Sequence, residues 1–371
     1  MFDYFSTDTV AFDIIACSGP VFIHKGERQM ADFGVYLNGL GGNYRESKEL
    51  WIAGEELGYD YLWMMDNIVG PEPYTQEAPV LDTWSVLPVI AELTKKVKFG
   101  PLVSPFSRRH PSVLAKSSSI VDQISNGRLQ LAMGPGDEPQ QHLPWGQPYP
   151  EKPSERIAIL REELDIIRRM WTEKHVTFDG QYYQLKNAVN EPKPVQQPHP
   201  PIWVGLIFGK KLMPRIAAEF ADHINVYHAD DDHVRELLAI AKMRFEEAGR
   251  DFSTVKLARN VGVKLVDGEF DFDAFIETCA RQGNRTTEYT RNNFDVYECF
   301  IAGNDEEVAR TLKRRVFDLG FDQAIVELSG GSGGYKPGGF TGAEFVDYML
   351  NNMRRFQERV VPLVREMLDN G

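Results

Sequence analysis

Short apolar runs alternate along this chain with longer amphipathic stretches. Eight runs read as strands: 31–37 (ADFGVYL), 60–66 (DYLWMMD), 97–104, 128–134, 201–207, 222–227, 255–266 and 322–328. Several are almost continuously apolar, as parallel strands covered on both faces are. The stretches between them read as helices. Residues 45–58 carry apolar side chains at helical spacing and stop at Gly58, a C-terminal signal. Residues 154–171 begin at Ser154, a residue type suited to an N-cap, and place Ile157, Leu160, Leu164, Ile167 and Trp171 on one stripe. Residues 304–320 start with Asn304 or Asp305 as cap, carry acids in the first turn and end at Gly320.

Eight strands alternating with helices predict an α/β fold, a (β/α)8 TIM barrel. A doubly wound sheet is the alternative. It fits less well, because NGLGGNYRE after the first run lacks the GxGxxG spacing. Two stretches exceed a minimal barrel and predict insertions after strands 4 and 7. Residues 135–201 add a helix and a Pro-rich connector, and residues 267–321 add a polar, aromatic segment. Such insertions cover a barrel mouth or build a subunit contact. Residues 31–371 therefore read as one barrel domain, with residues 1–30 as an extension outside the pattern. Lys25-Gly26-Glu27 is encodable by a stretch resembling a ribosome-binding site just ahead of Met30, which suggests a native start at Met30. A genuine N-terminal arm is the competing reading.

Composition narrows the function. The chain has 371 residues, a formal net charge of −13, 42% hydrophobic and 26% charged residues. That balance suits a globular protein with a core large enough to need no metal or disulfide. The acidity argues against nucleic-acid partners and anionic membrane surfaces. The three cysteines, Cys17, Cys279 and Cys299, are widely spaced with no CxxC, which fits a reduced, cytoplasmic protein. No apolar run is long enough to span a bilayer.

Barrels place their chemistry at the C-terminal ends of the strands. Those ends here carry Asp66-Asn67; Pro101 to Pro105, followed by Arg108-Arg109-His110; Gly134-Pro135-Gly136-Asp137-Glu138; and Gly205 to Lys211. In this order they resemble the bacterial luciferase-like flavin and deazaflavin oxidoreductases. The markers are LGYDYLWMMDN (57–67), the long segment 100–139, HPPIWVG (199–205) and FIAGNDEEVARTL (300–312), and the likeness spans nearly all of residues 31–365. The resemblance implies a barrel that holds a reduced flavin, or its deazaflavin analogue coenzyme F420, at the mouth.

Residue by residue, the resemblance implies the following. Asp66 contacts the cofactor, its plain alternative being a turn-ordering carboxylate. Asn67 stands where family members often carry a titrating His; it can donate from its amide but cannot shuttle a proton. A non-prolyl cis peptide is expected at Pro101–Leu102, or within one residue, with Leu102 backing the ring. Ser104 is expected to donate to the ring or else to the local backbone. Arg108 and Arg109 would meet an anionic cofactor tail or be solvated, and His110 is structural. Gly134 and Gly136 let the backbone approach the ring. Asp137 matches an acid that the family's sugar-phosphate dehydrogenases use for proton transfer, or else caps a helix. Gly205, Leu206, Ile207, Phe208 and Gly209 form the turn for the cofactor phosphate, with Lys210 and Lys211 adding positive charge.

The segment GGSGGYKPGG (330–339) reads as a flexible loop. His228 to His233 (HADDDH) invites a metal reading, but consecutive acids ahead of a helix are more simply a cap, and no metal is expected. GPGD, without the GW of many FMN oxygenases, favours F420 hydride transfer to a small-molecule substrate. The alternatives are an FMNH2-dependent monooxygenase served by a flavin reductase and a non-catalytic flavin carrier. Trp63, Phe106, Trp145 and Phe208 suggest an apolar pocket, and a homodimer is expected.

Overall fold

Alternate residues of each strand face opposite ways, and here the two faces differ in chemistry. In the computed structural model the described residues are 31–37, 43–70, 79–136, 138–282, 286–297, 299–329 and 342–370. The extension 1–30 and the glycine-rich 330–339 lie outside them. The strands are β1 (Asp32–Leu37), β2 (Tyr61–Met64), β3 (Lys98–Pro101), β4 (Ser104–Pro105), β5 (Leu131–Gly134), β6 (Val176–Asp179), β7 (Gln184–Ala188), β8 (Ile202–Leu206), β9 (His223–Val226), β10 (Lys256–Leu265), β11 (Phe300–Gly303) and β12 (Gln323–Glu327).

Among the described residues, ten of these form one parallel sheet in the order β3-β2-β1-β12-β10-β9-β8-β5-β4, with β11 added to β10. With β3 and β4 as two pieces of one stave, and β11 set aside, eight staves make the expected TIM barrel. Its seam lies between β3 and β5. There the Phe99 N–H donates to Arg128 O (3.3 Å) and the Gln130 N–H to Phe99 O (2.9 Å). Gly100 permits this approach, since a Cβ on it would lie 1.9 Å from Gln130 O.

One face of the staves, with Phe33, Val35, Leu62, Leu131, Val204, Ile224, Leu257 and Val326, packs under the helices as the main core. The other face fills the barrel with Tyr61, Trp63, Leu102, Ala132, Trp203, Ala258 and Ile325. Trp63 and Trp203 meet edge to face at 5.1 Å, and Trp203 Nε1 donates to Gln130 Oε1 (3.0 Å). Below them Lys98 and Lys256 each reach the Tyr61 hydroxyl (3.4 Å), and Lys256 pairs with Asp32. The interior is thus packed, which leaves the strand C-termini as the functional end.

Three local expectations change. Ser154 lies inside the helix Pro153–Thr172, because Pro153 opens it and Lys152 is the cap residue. The first insertion contains the antiparallel pair β6–β7. The second contains the helices Phe272–Gln282 and Thr287–Tyr297 and then β11. Asn304 caps the helix Asp305–Arg315, with Glu307 completing a capping box. No helix among the described residues is long and apolar enough to cross a membrane.

Candidate active site

The mouth is organised around one buried carboxylate. Asp66, just past β2, has a fully buried side chain. Its Oδ2 accepts from Ser104 Oγ (2.6 Å) and from Arg109 Nη1 (2.8 Å). Trp84 Nε1 donates in turn to Ser104 Oγ (2.9 Å), and Arg109 also pairs with Asp82. Arg108, itself buried, donates to the Asp66 carbonyl. A charge taken out of water needs such partners. Asp66 Oδ1 has no hydrogen-bond partner among the described residues, with Arg108 Nη1 4.0 Å away.

These bonds revise three expectations. Ser104 gives its one hydroxyl proton to Asp66, not to the local backbone and not outward to a ring. Arg108 and Arg109 are neither solvated nor left for an anionic tail, because the buried carboxylate engages both. His110 is structural as expected: it caps the helix Pro111–Ser125, with Nδ1 2.7 Å from Ser112 Oγ.

A non-prolyl cis peptide lies at Leu102–Val103, one bond beyond Pro101–Leu102. Pro101 ends β3, and the Leu102 N–H donates to Met64 O (2.7 Å). Leu102 packs into the barrel interior, and Val103 is the half-buried residue at the mouth. Val103 sits between two glycines. A Cβ on Gly134 would meet Val103 Cγ2 at 2.8 Å, and one on Gly205 would lie 3.8 Å from Cγ1. Gly134 is therefore small because Val103 packs directly against it. Gly136, at φ +58, is small for another reason: a Cβ there would be 3.2 Å from His142 Nε2 and 3.4 Å from Phe106.

His142 is buried, stacked on Phe106 at 5.3 Å. Burial, then Arg108 and Arg156, lowers its pKa to about 4, so the ring is neutral near pH 7. Asp137 lies outside the described residues. Its neighbour Glu138 accepts from Gln141 Nε2 (3.1 Å), and Gln141 Oε1 accepts the Ile68 N–H (3.1 Å) beside Asn67. Asn67 itself is half-buried at the rim.

The turn after β8 divides by strand alternation. Leu206, expected among the cofactor contacts, is fully buried and belongs to the main core. Gly205 and Ile207 are half-buried, and Phe208 and Gly209 are exposed. His233 Nε2 lies 2.9 Å from Ile207 O, and the His228 and His233 rings stack at 4.0 Å beside Phe208. Asp230 caps the helix Asp231–Glu247, as the cap reading expects, and no metal-holding cluster occurs among the described residues. Lys210 pairs with Glu236 (2.7 Å). The helix Leu212–Phe220 starts at Lys211 without a side-chain cap. The aromatic set also splits: Trp63 and Phe106 are core, whereas Trp145 and Phe208 are exposed.

Sequence reasoning missed Glu163 and Tyr183. Glu163 Oε1 accepts from the Ser107 N–H (2.8 Å) and from the Tyr183 hydroxyl (2.6 Å), tying helix Pro153–Thr172 to the loop that carries Arg108 and Arg109. Burial pushes the Glu163 pKa up to about 8 against these two bonds. A Glu on an amphipathic helix gives no local sign of burial.

A luciferase-like monooxygenase profile matches residues 26–269. The F420-dependent glucose-6-phosphate dehydrogenase of Amycolatopsis mediterranei is 32% identical over 179 residues, 48% of this chain and 52% of that protein. The protein of the same name from Kribbella flavida is 28% identical over 333 residues, 87% and 95% of the two chains. The chain thus spans about half the length of the first of these relatives. An F420-dependent secondary alcohol dehydrogenase structure aligns with TM-score 0.73 at 20% identity, over 90% of this chain and 99% of its own. The F420-dependent tetrahydromethanopterin reductase of Methanopyrus kandleri aligns with TM-score 0.69 at 18% identity, over 90% and 99%. At those identities the structures speak for the fold alone.

Proposed function

Because this chain belongs to the luciferase-like monooxygenase family, we propose that it is an F420-dependent oxidoreductase exchanging a hydride between the deazaflavin C5 and a small organic substrate. The observation that carries this reading is the apolar ridge of Val103 between Gly134 and Gly205. Half-buried at the mouth, Val103 offers an apolar surface against which a planar ring can lie. The F420-dependent relatives support the choice of cofactor.

The residues present suit the group. A Cβ on Gly209 would have only Met213 Cγ within 4 Å, at 3.9 Å, and the adjoining helix start has no side-chain cap. Its N–H groups fit a phosphate. Bound there, the deazaflavin supplies a carbon that accepts or gives a hydride. The chain does the rest. Asp66, held by Ser104 and Arg109, fixes the end of β2 against β4 and so sets the position of Asn67. Asn67 donates from its amide to the ring or the substrate oxygen. Asp137, next to Gly136 in the sequence, moves the substrate's proton.

The test is a pair of titrations, oxidised F420 and oxidised FMN separately, read by fluorescence quenching and by retention on a desalting column. F420 retained with FMN washed away is the expected result. The reverse overturns the reading in favour of a flavin oxygenase.

A further inference from the structure

Strand alternation sets the floor of the mouth. On each stave, the residue two places beyond the packed interior layer is the next to face inward. Beyond Ala132 and Trp203 these are Gly134 and Gly205, which flank Val103. Beyond Ala258 and Ile325 they are Asn260 and Glu327, and β9 contributes Asn225. Ile224 and Val226 on either side of Asn225, and Val261 after Asn260, belong to the main core, so the two amides face the other way. The floor therefore has an apolar part around Val103 and a polar part beside it.

The two parts adjoin. Gly205, whose added Cβ would lie 3.8 Å from Val103 Cγ1, pairs in register with Asn225. On its other side Asn225 pairs with Ala258, and its Nδ2 reaches past that residue to donate to Asn260 Oδ1 (2.6 Å). β10 changes neighbours at this point. Lys256–Arg259 pair with β9 and Gly262–Leu265 pair with β11, so Asn260 lies where those partners part. Asn225 is 4% exposed and Asn260 is half-buried. Their one bond leaves Asn225 Oδ1 as an acceptor and Asn260 Nδ2 as a double donor, and no described residue engages either atom. Neither atom is sealed from solvent. Glu327 completes this part of the floor, with Ser329 Oγ donating to its Oε1 (2.8 Å).

We propose that the Asn225–Asn260 pair is the substrate's docking clamp, and that the substrate presents an amide to it, the carbonyl to Asn260 Nδ2 and the N–H to Asn225 Oδ1. The inference rests on the F420 reading above, which puts the ring on Val103 and the substrate beside it. The two free ends belong to side chains joined by one short bond, so one small group can meet both. An acceptor next to a donor is matched by a group that carries both, as in the bidentate pairing of Asn with an adenine edge. A ligand with a carbonyl alone would cover Asn225 Oδ1 and leave it without a donor, which costs the hydrogen bond it made to water.

The test uses the full chain and two neutral probes of one shape, benzamide and acetophenone, titrated by saturation-transfer NMR with and without F420. Both carry the carbonyl, and only benzamide carries the N–H. Wild type should bind benzamide about tenfold more tightly, the fold-change of one net hydrogen bond. Asn225→Leu keeps the volume and removes the acceptor, so the two probes should then bind alike. Asn225→Ala serves the same comparison where the leucine variant does not fold. Asn260→Ala removes the donor and should weaken both probes. F420 affinity, measured on the same samples, should stay near wild type. A purely structural role for Asn225 would lower both probes together and keep the preference. Equal binding of the probes to wild type, a preference that survives in folded Asn225→Leu, or a loss of F420 affinity with the preference intact would overturn the proposal. Failure of F420 to bind while the cofactor-free protein prefers benzamide would overturn the cofactor reading alone.

Discussion

Ser104 Oγ lies 2.6 Å from Asp66 Oδ2, and the same oxygen receives the indole N–H of Trp84 at 2.9 Å. One hydroxyl thereby satisfies two buried groups that reach it from different elements. Ser104→Ala leaves the Trp84 indole N–H without its acceptor and Asp66 with Arg109 as the remaining donor to Oδ2, at a cost of about 1–3 kcal/mol. Asp66→Asn should cost more, about 3–5 kcal/mol, since it removes the charge that Arg108 and Arg109 face. Denaturant unfolding of both variants checks the order. An Asp66→Asn protein as stable as wild type would show that the carboxylate is not the organising group.

Two glycines, Gly134 at the mouth and Gly100 at the seam, should respond differently to the same change. Gly134→Ala sets a methyl against Val103 Cγ2, a side chain with room to shift. The protein should fold and bind F420 more weakly, because the ridge moves. Gly100→Ala sets a methyl 1.9 Å from the Gln130 backbone oxygen. That variant should fail to close the barrel and be recovered insoluble. A soluble Gly100→Ala with native circular dichroism would contradict this account of the seam.

Stability should fall as alkali is approached, through Glu163. Its folded pKa of about 8 lies above the ordinary 4.5, so the folded state holds this proton more tightly. The contribution is complete below about 4.5 and is lost as pH rises through about 8. Glu163→Gln keeps an acceptor for Ser107 and Tyr183 but cannot ionise. Its melting temperature should change less than that of wild type between those limits. Parallel curves for the two proteins would remove Glu163 as the cause.

Asp137→Asn separates its two readings. A proton-transfer role predicts kcat lower by about 10²–10⁴ with F420 affinity little changed. A capping role predicts only a mild effect on both, since Asn caps as well as Asp. Normal kcat would eliminate the proton-transfer role.

The staves were legible because each is a local apolar run, and they lie within about three residues of their expected bounds, β5 beginning at Leu131 where the run began at 128, apart from the bend that splits the third into β3 and β4. The pair β6–β7 was not read, although Asp179-Gly180 between two alternating segments is a hairpin signal. β11 is only four residues long and pairs beyond the barrel rim, so no window singles it out. The site was legible as positions but not as bonds. Asp66, Ser104 and Arg109 stood at the expected strand ends, yet sequence could not show that they satisfy one another. The choice between Leu102 and Val103 as the ridge depended on a one-residue register, which periodicity does not resolve.

The divided pairing of β10 separates two kinds of heritable change. Substitutions in Lys256–Arg259 strain the hoop that closes the barrel, whereas Phe300–Gly303 joins it through the β10 ladder and seats Ile301 in the main core. A lineage could exchange the helices Phe272–Gln282 and Thr287–Tyr297, which build a small core of their own, without renegotiating the register of any stave. Selection would then act on a replaceable cartridge, with the cofactor platform inherited intact.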